Sequence, residues 1–295
     1  MRVNPNPLPD LLSALSQNEK QINNDLQQVA SGQRVRVPSD DPAAAAGLVR
    51  NADQTSEVDQ FQRSLSSISG EVQNADSALS SVVTALQRAI SLGVQGANGT
   101  QNASGRAAIA NEVQGILSQL VSLANLSYQG NFVFAGTATQ TAPYVLDAAS
   151  PSGVRYVGND GVNSVTLGDH FAAKTNLPGS QLFSAPGTDV FQALQNLVTG
   201  LQSGTGIDTA IDQVSAAYEH INGQRVFYGN TSNQLSSQSK YLNSETVQLA
   251  QQQNTLGGAD LTRVLSDLVN QQTSREATLA AMARTQQSNL FDYLK

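Results

Sequence analysis

Apolar residues recur at alternating steps of three and four over much of the chain. Between residues 58 and 89 every position of this register is apolar, in the series Val58, Phe61, Leu65, Ile68, Val72, Ala75, Leu79, Val82, Leu86 and Ala89. A spacing that averages about 3.5 residues is that of a coiled-coil seam, so the pattern predicts a long packed helix. A shorter run predicts another helix after a glycine-rich loop, with Ile109, Val113, Ile116, Leu120 and Leu123.

The second half of the chain repeats this register with more polar interruptions. Its apolar members are Ile207, Ile211, Val214, Tyr218, Ile221, Tyr228, Leu235, Leu242 and Leu249. The positions between them are filled by Arg225, Ser232, Ser239 and Thr246. We therefore expect this seam to be wetter and less tightly packed than the first.

Both ends of the chain carry imperfect apolar stripes. The N-terminal stripe, which Glu19 interrupts, consists of Leu8, Leu12, Leu15, Ile22, Leu26 and Val29. The C-terminal stripe, which Gln272 and Arg275 interrupt, consists of Leu261, Leu265, Leu268, Leu279 and Met282. Isolated amphipathic helices are marginal in water, so these residues are predicted to form a coiled-coil seam that needs partners.

Between residues 131 and 205 the helical spacing of apolar residues gives way to a different pattern. Short runs rich in β-branched and aromatic residues lie at 132–134, 154–157 and 165–167, and glycines separate them. Asn159-Asp160-Gly161 stands between the last two runs and predicts a hairpin there.

These patterns together predict a mainly α fold with a small β-rich insertion. Long coiled-coil helices lie at both chain ends and in a central helical bundle. The predicted division is a terminal coiled-coil domain of 1–40 plus 256–295, a helical rod domain of 41–130 plus 206–255, and a β-rich outer domain of 131–205.

Composition narrows the classes of function. The chain has 295 residues, a net charge of -7 and no cysteine. The few basic residues argue against nucleic acid as a partner, because phosphate binding needs a basic patch. The lack of cysteine excludes thiolate catalysis and disulfides. No run reaches the roughly 18 consecutive apolar residues of a membrane span. The N-terminus lacks an apolar core of signal-peptide type, so any export is expected to proceed without a cleaved signal.

The stretch "ASGQRVRVPSDDPAAAAG", residues 30–47, places two acidic residues beside arginines. Such a group can be a catalytic pair, a metal site or helix punctuation. Gly32 fits the left-handed residue after a helix, and Asp41-Pro42 fits a helix start. The chain has only two histidines, His170 and His220. The pattern therefore favours helix punctuation, and no metal site is predicted.

The same stretch carries a family resemblance. Six of its residues resemble the signature that follows the first helix in the flagellin family. They are Ser31, Gly32, Arg34, Asp40, Asp41 and Pro42. The segment "YQGNFVFAGTATQTAPY" (128–144) and the final helix with its ending "LFDYL" (290–294) are similar to the branch of the family that joins hook to filament. The resemblance covers about 1–145 and 208–295.

The resemblance implies a structural subunit of the bacterial flagellum, extracellular and without enzymatic activity or cofactor. Such a subunit passes through the flagellar export channel, assembles through its terminal helices and forms a ring-like layer between hook and filament. The implied partners are a neighbouring hook-associated protein, flagellin, further copies of itself and an export chaperone. Nucleic acid, membrane and small-molecule substrates are not expected.

Three other interpretations remain open. A filament flagellin would share the fold in a repeating role. A surface enzyme would need catalytic carboxylates in the β-rich region, which offers Asp147, Asp160, Asp169 and Asp189. An intracellular coiled-coil scaffold would usually carry more Glu and Lys beside its seam.

Overall fold

The structure, a computed structural model, describes residues 8–166 and 171–292, with side chains as far as residue 284 at the C-terminal end. The helices in this part are α1 (Leu8–Ser31), α2 (Pro42–Ala97), α3 (Ala103–Ala124), α4 (Gly179–Leu182), α5 (Val190–Ser203), α6 (Ile207–Gly257) and α7 (Leu261–Asp292). The strands are β1 (Ser127–Tyr128), β2 (Asn131–Phe132), β3 (Tyr144–Leu146), β4 (Val154–Tyr156), β5 (Ser164–Thr166) and β6 (Ala172–Lys174). The predicted fold class, mainly α with a small β insertion, is confirmed.

The chain divides into two compact units. The first comprises Met1–Val58 and Ser244–Lys295, and the second comprises Asp59–Asn243. The boundaries fall inside α2 and α6, so each of these helices contributes to both units. The three-part division drawn from the sequence stays a prediction.

The seven-residue repeats place the core. On α2, eight of the ten register positions are buried, and Phe61 and Ile68 are half-buried. On α6, every seventh residue from Val214 to Leu249 is buried. Arg225, a polar interruption of the α6 seam, has a partner on α2. Its Nε and Nη2 donate to the carboxylate of Asp76 at 2.9 and 3.2 Å.

Among the described residues, one helix is long and apolar enough to cross a membrane by length and composition. This helix is α2, whose most apolar window has a mean hydropathy of 1.2 and is half buried inside the protein. The core helix of a folded protein meets the same criterion, and the buried seam of α2 accounts for its apolar character.

The strands form three separate antiparallel hairpins. β1 pairs with β2, β3 with β4 and β5 with β6. The predicted hairpin between 154–157 and 165–167 is therefore wrong. Its supposed turn is held by a different partner, because the side-chain oxygen of Asn159 accepts hydrogen bonds from the backbone N–H groups of Thr137 and Gly161 at 2.8 and 3.1 Å.

The region predicted as β-rich also contains helix α5. Asp189 caps its start by accepting from the N–H of Gln192 at 2.8 Å, and Gly204 ends it with a φ of 76°. Apolar residues of α5 are buried, and α5 packs against α3. The sequence held this signal, since an Asp cap, helical apolar spacing and a terminal glycine occur together at 189–204.

Candidate assembly site

The family-like motif lies in the turn between α1 and α2, which contacts the turn between α6 and α7. We name these two turns together the clasp (residues 31–42 and 256–259). Helix α1 ends at Ser31, whose Oγ donates to the carbonyl of Gln27 at 2.7 Å. Gly32 follows with a φ of 67°, a conformation that glycine adopts without steric cost. The Gly32 carbonyl accepts from the N–H of Ala259 at 3.0 Å, which ties the end of α1 to the start of α7.

Arg34 also joins the two turns of the clasp. Its Nη1 donates to Oδ2 of Asp41 at 3.0 Å, and its Nη2 donates to the carbonyl of Leu256 at 2.8 Å. The backbone N–H of Arg34 also donates to the carbonyl of Gly257 at 2.7 Å. A cation at the C-terminal end of α6 is favourable because that end carries free carbonyls and partial negative charge.

The first aspartate of the motif organises the backbone that precedes it. Oδ2 of Asp40 accepts from the N–H groups of Arg36 and Val37 at 3.0 and 3.1 Å. These two hydrogen bonds lower the pKa of the Asp40 carboxyl, because they favour its charged form.

Asp41 and Pro42 start helix α2. Oδ1 of Asp41 accepts from the N–H of Ala44 at 3.0 Å. That hydrogen bond lowers the pKa of Asp41, and the Arg34 guanidinium lowers it further. Pro42 takes the first helical position, where a missing N–H costs nothing. Both carboxylates of the motif are thus engaged with backbone or with Arg34.

Helices α1 and α7 pair in antiparallel fashion. Asn18 Nδ2 donates to the carbonyl of Gln271 at 3.1 Å, and Glu19 Oε1 lies 3.6 Å from Nη2 of Arg275. The buried and half-buried positions of α1 include Leu8, Leu11, Leu15, Asn18, Ile22, Asp25 and Val29. Those of α7 include Val264, Leu268, Gln271, Thr278 and Met282. These spacings of three and four define the seam of the pair.

The residues predicted to form the terminal seam fall into two groups in the single chain, and their role in assembly stays a prediction. The predicted residues that do lie on this seam are Leu8, Leu15, Ile22, Val29, Leu268 and Met282. The other five are between 44% and 52% exposed, and they are Leu12, Leu26, Leu261, Leu265 and Leu279. On α1 the cause is a shift of register, because the seam uses Leu11 and Asp25 in place of Leu12 and Leu26.

The seam between α1 and α7 contains buried polar atoms whose hydrogen-bonding capacity is not filled. Asp25 is 4% exposed, and its Oδ1 accepts from the side-chain amide of Gln21 at 3.3 Å. Oδ2 of Asp25, Oδ1 of Asn18 and Oε1 of Gln271 are buried without a hydrogen-bond partner in the described part of the chain. Each such acceptor costs about 1–3 kcal/mol. The α1–α7 pair is therefore weakened from within.

Exposed large apolar side chains concentrate in the first unit. Of thirteen among the described residues, nine belong to it although it is the smaller unit. They are Leu12, Leu26, Val37, Val49, Val247, Leu261, Leu265, Val269 and Leu279. Clustered apolar exposure of this kind is typical of protein–protein contact sites.

The acidic residues considered for an enzyme have structural partners where they are described. Asp147 Oδ2 lies 2.9 Å from Nε of Arg155, and Asp189 caps α5. Burial raises the pKa of Asp189. Asp160 accepts a hydrogen bond from the hydroxyl of Ser180.

The histidines do not assemble a metal site in the described part of the chain. His220 contacts the carbonyl of Gln181 at 2.8 Å through Nε2. Within the residues that the structure describes, no group of three or more His, Asp or Glu side chains could hold a metal ion. Asp169, His170 and the last two residues of the family-like ending, 293–294, lie outside the described residues.

Comparison with known proteins gives matches to flagellar proteins. The family model "Bacterial flagellin N-terminal helical region" matches residues 9–139. Flagellar hook-associated protein 3 of Escherichia coli (strain K12) is 28% identical over 91% of this chain and 92% of its own length. A flagellin of Listeria innocua is 24% identical over 98% of this chain and 96% of its own length.

A solved structure shows the same fold. The flagellar junction protein FlgL of Legionella pneumophila superposes with a TM-score of 0.61 at 15% identity, over 72% of this chain and 100% of that chain. Residues 9–139 of the chain are therefore similar to the helical region of the flagellin family. Within the family, the matches support the branch of hook-associated protein 3.

Proposed function

We propose that the chain is a structural subunit of the bacterial flagellum that forms the junction layer between hook and filament. The observation that carries the proposal is the surface of the first unit, where α1 and α7 leave leucines exposed around a seam with buried unpaired polar atoms. Such a helix pair gains stability by covering its apolar surface with other subunits. The Escherichia coli relative, a flagellar hook-associated protein 3 that aligns over nearly the full length of both chains, supports the junction role.

The proposal includes how the subunit reaches its place and what it meets there. The chain passes through the flagellar export channel and acts outside the cell. Its partners are an export chaperone, a neighbouring hook-associated protein, flagellin and further copies of itself in a ring-like layer. We expect no enzymatic reaction, because the described carboxylates of the motif and of the hairpin region serve as caps and ion-pair partners.

Filament flagellin is the second candidate, which the full-length match to the Listeria innocua flagellin favours. Immunogold labelling of isolated flagella with an antibody to residues 131–205 separates the two. A single labelled band between hook and filament is the expected result. Label along the whole filament would make the chain a filament subunit, and unlabelled flagella would contradict both candidates.

A further inference from the structure

The two flanks of the α1–α7 seam differ in chemistry. In an antiparallel pair, the residues that directly follow corresponding seam positions of the two helices lie on the same side. The relevant seam positions recur every seven residues, from Leu11 on α1 and from Val264 on α7. We name the side that follows them the leucine flank, and its members are Leu12, Glu19, Leu26, Leu265, Gln272 and Leu279.

The leucine flank has two apolar ends and a polar middle. The contact between Asn18 and Gln271 places Leu12 within about two residues of the height of Leu279, and Leu26 within about two residues of the height of Leu265. The four leucines are 44–52% exposed. At about 1.5 Å per residue, the two leucine pairs lie about 21 Å apart along the helices. Glu19 and Gln272 occupy the middle.

The other side of the pair is formed by the residues that directly precede the alternate seam positions, which recur every seven residues from Leu15 on α1 and from Leu268 on α7. The side chains of this polar flank are small or uncharged except for Asp267, which lies 3.8 Å from Arg263. The flank therefore has room beside Ala14 for a protruding leucine, and its middle carries Gln21, an amide that can donate to a carboxylate. The members of the polar flank are Ala14, Gln21, Gln28, Asp267, Ser274 and Ala281.

The charge of Glu19 bears on which surface fits the leucine flank. If two leucine flanks met about a two-fold axis perpendicular to the helices, Glu19 would approach its own copy in the middle of the contact, and like charges repel. The ion pair of Glu19 with Arg275, at 3.6 Å between half-exposed side chains, is too weak to remove this repulsion. The polar flank offers an uncharged middle at the same height.

Symmetry also favours a contact between a leucine flank and a polar flank over a contact between two leucine flanks. A two-fold contact between identical flanks stops at a dimer, whereas a contact between two different flanks continues from copy to copy and can close a ring. In a ring whose axis runs along the helices, neighbouring copies lie at the same height. Residue 12 of one copy then stands opposite residue 14 of the next, because both belong to the same seven-residue repeat.

We infer that the leucine flank of one copy packs on the polar flank of the next copy within the assembled layer. This inference rests on the proposed function and adds to it the faces that meet. Leu12 of one copy lies near Ala14 of its neighbour, and Leu26 lies near Gln28. The contact covers four exposed leucines in each copy.

Cysteine cross-linking tests the contact, because the chain has no cysteine of its own. The variant Leu12→Cys/Ala14→Cys, oxidised in isolated flagella, is expected to give a ladder of disulfide-linked dimers, trimers and larger species on a non-reducing gel. A disulfide needs Cα atoms within about 7 Å, so the ladder reports close approach of the two flanks. Each single variant is expected to remain monomeric, and a dimer from Leu12→Cys alone would overturn the inference.

Matched variants keep the test decisive. Leu26→Cys/Gln28→Cys probes the other end of the same contact and is expected to give the same ladder. Ser13→Cys/Ser16→Cys places cysteines on the exposed outer face of α1 and is expected to give none. Coexpression of the two single variants of one pair is expected to give a dimer band, without two changes in one chain.

Failure of the contact and failure of the proposed function give different results. Flagella that contain both double variants but show no ladder would refute the contact and leave the junction role intact. If immunogold finds no wild-type chain in flagella, the junction role is refuted. The purified variants, oxidised at high concentration, then still test the contact between flanks, and monomers alone would refute it.

Discussion

Replacing Asp25 by leucine is expected to strengthen the pairing of α1 with α7. Asp25 lies in the seam at 4% exposure, and its Oδ2 has no hydrogen-bond partner among the described residues. An acidic residue at such a position is unfavourable because burial removes water from the carboxylate without a full set of new partners. Asp25→Leu removes this penalty and adds apolar contact.

The size of the effect follows from three contributions. Removing the unpaired acceptor contributes about 1–3 kcal/mol. Burying a leucine side chain contributes about 1.5–3 kcal/mol. Fitting a larger side chain into a packed seam costs about 1–3 kcal/mol. A net gain of about 2 kcal/mol corresponds to a change of about 30-fold in the equilibrium for opening the pair.

Native-state hydrogen exchange of the isolated chain measures this opening directly. Amides of α1 on either side of residue 25 are expected to exchange about 30-fold more slowly in Asp25→Leu. Asp25→Asn, which removes the charge but keeps polar atoms, should lie between the variant and the wild type. Asn24→Leu adds leucine at the neighbouring exposed position and controls for helix propensity. Exchange in Asp25→Leu that is no slower than in Asn24→Leu would refute the reasoning.

Three further predictions concern the clasp and the core. Arg34→Ala removes the hydrogen bond to the Leu256 carbonyl and the exposed ion pair with Asp41, and it is expected to lower the free energy of unfolding of the first unit by about 0.5–1.5 kcal/mol, measured by urea denaturation. Since folding lowers the pKa of Asp41 from 3.8, its contribution is complete above the unfolded pKa and is lost as the pH falls through the folded pKa. Asp41→Asn should therefore destabilise the chain at neutral pH and have little effect well below the folded pKa, measured by denaturation under both conditions. Tyr228→Phe leaves the N–H of Leu177 without its acceptor at 3.2 Å, beside a fully buried ring, and is expected to cost about 1–2 kcal/mol, measured by thermal unfolding.

The parts of the clasp that depend on neighbouring residues could be predicted from the sequence. Gly32 and the pair Asp41-Pro42 mark a helix end and a helix start because local backbone geometry requires those residue types. The partner of the Arg34 side chain at Leu256 lies 222 residues away in the sequence. Nothing in the local pattern indicates that contact, because it depends on how the two interhelical turns meet.

Strand pairing shows the same limit in the hairpin region. The Asp-Gly signal at 160–161 is a preference of the backbone, and it does not specify which strands stand on either side. The structure pairs β4 with the strand before it and β5 with the strand after it. Asn159 instead fixes the segment to Thr137 through its side-chain oxygen. A tertiary contact has taken the place of the local turn.

On the terminal helices, the apolar pattern does not by itself predict which residues form the contact between α1 and α7. Two heptad phases compete on α1, and the phase predicted from the leucine stripe contains Leu12 and Leu26. The seam with α7 uses the other phase, which brings Asn18 and Asp25 into the contact. A sequence pattern identifies the apolar residues but does not say whether another helix of the same chain or another molecule covers them. Leu12 and Leu26 are exposed within the described part of the chain, and a further subunit that packed against α1 and α7 would bury them.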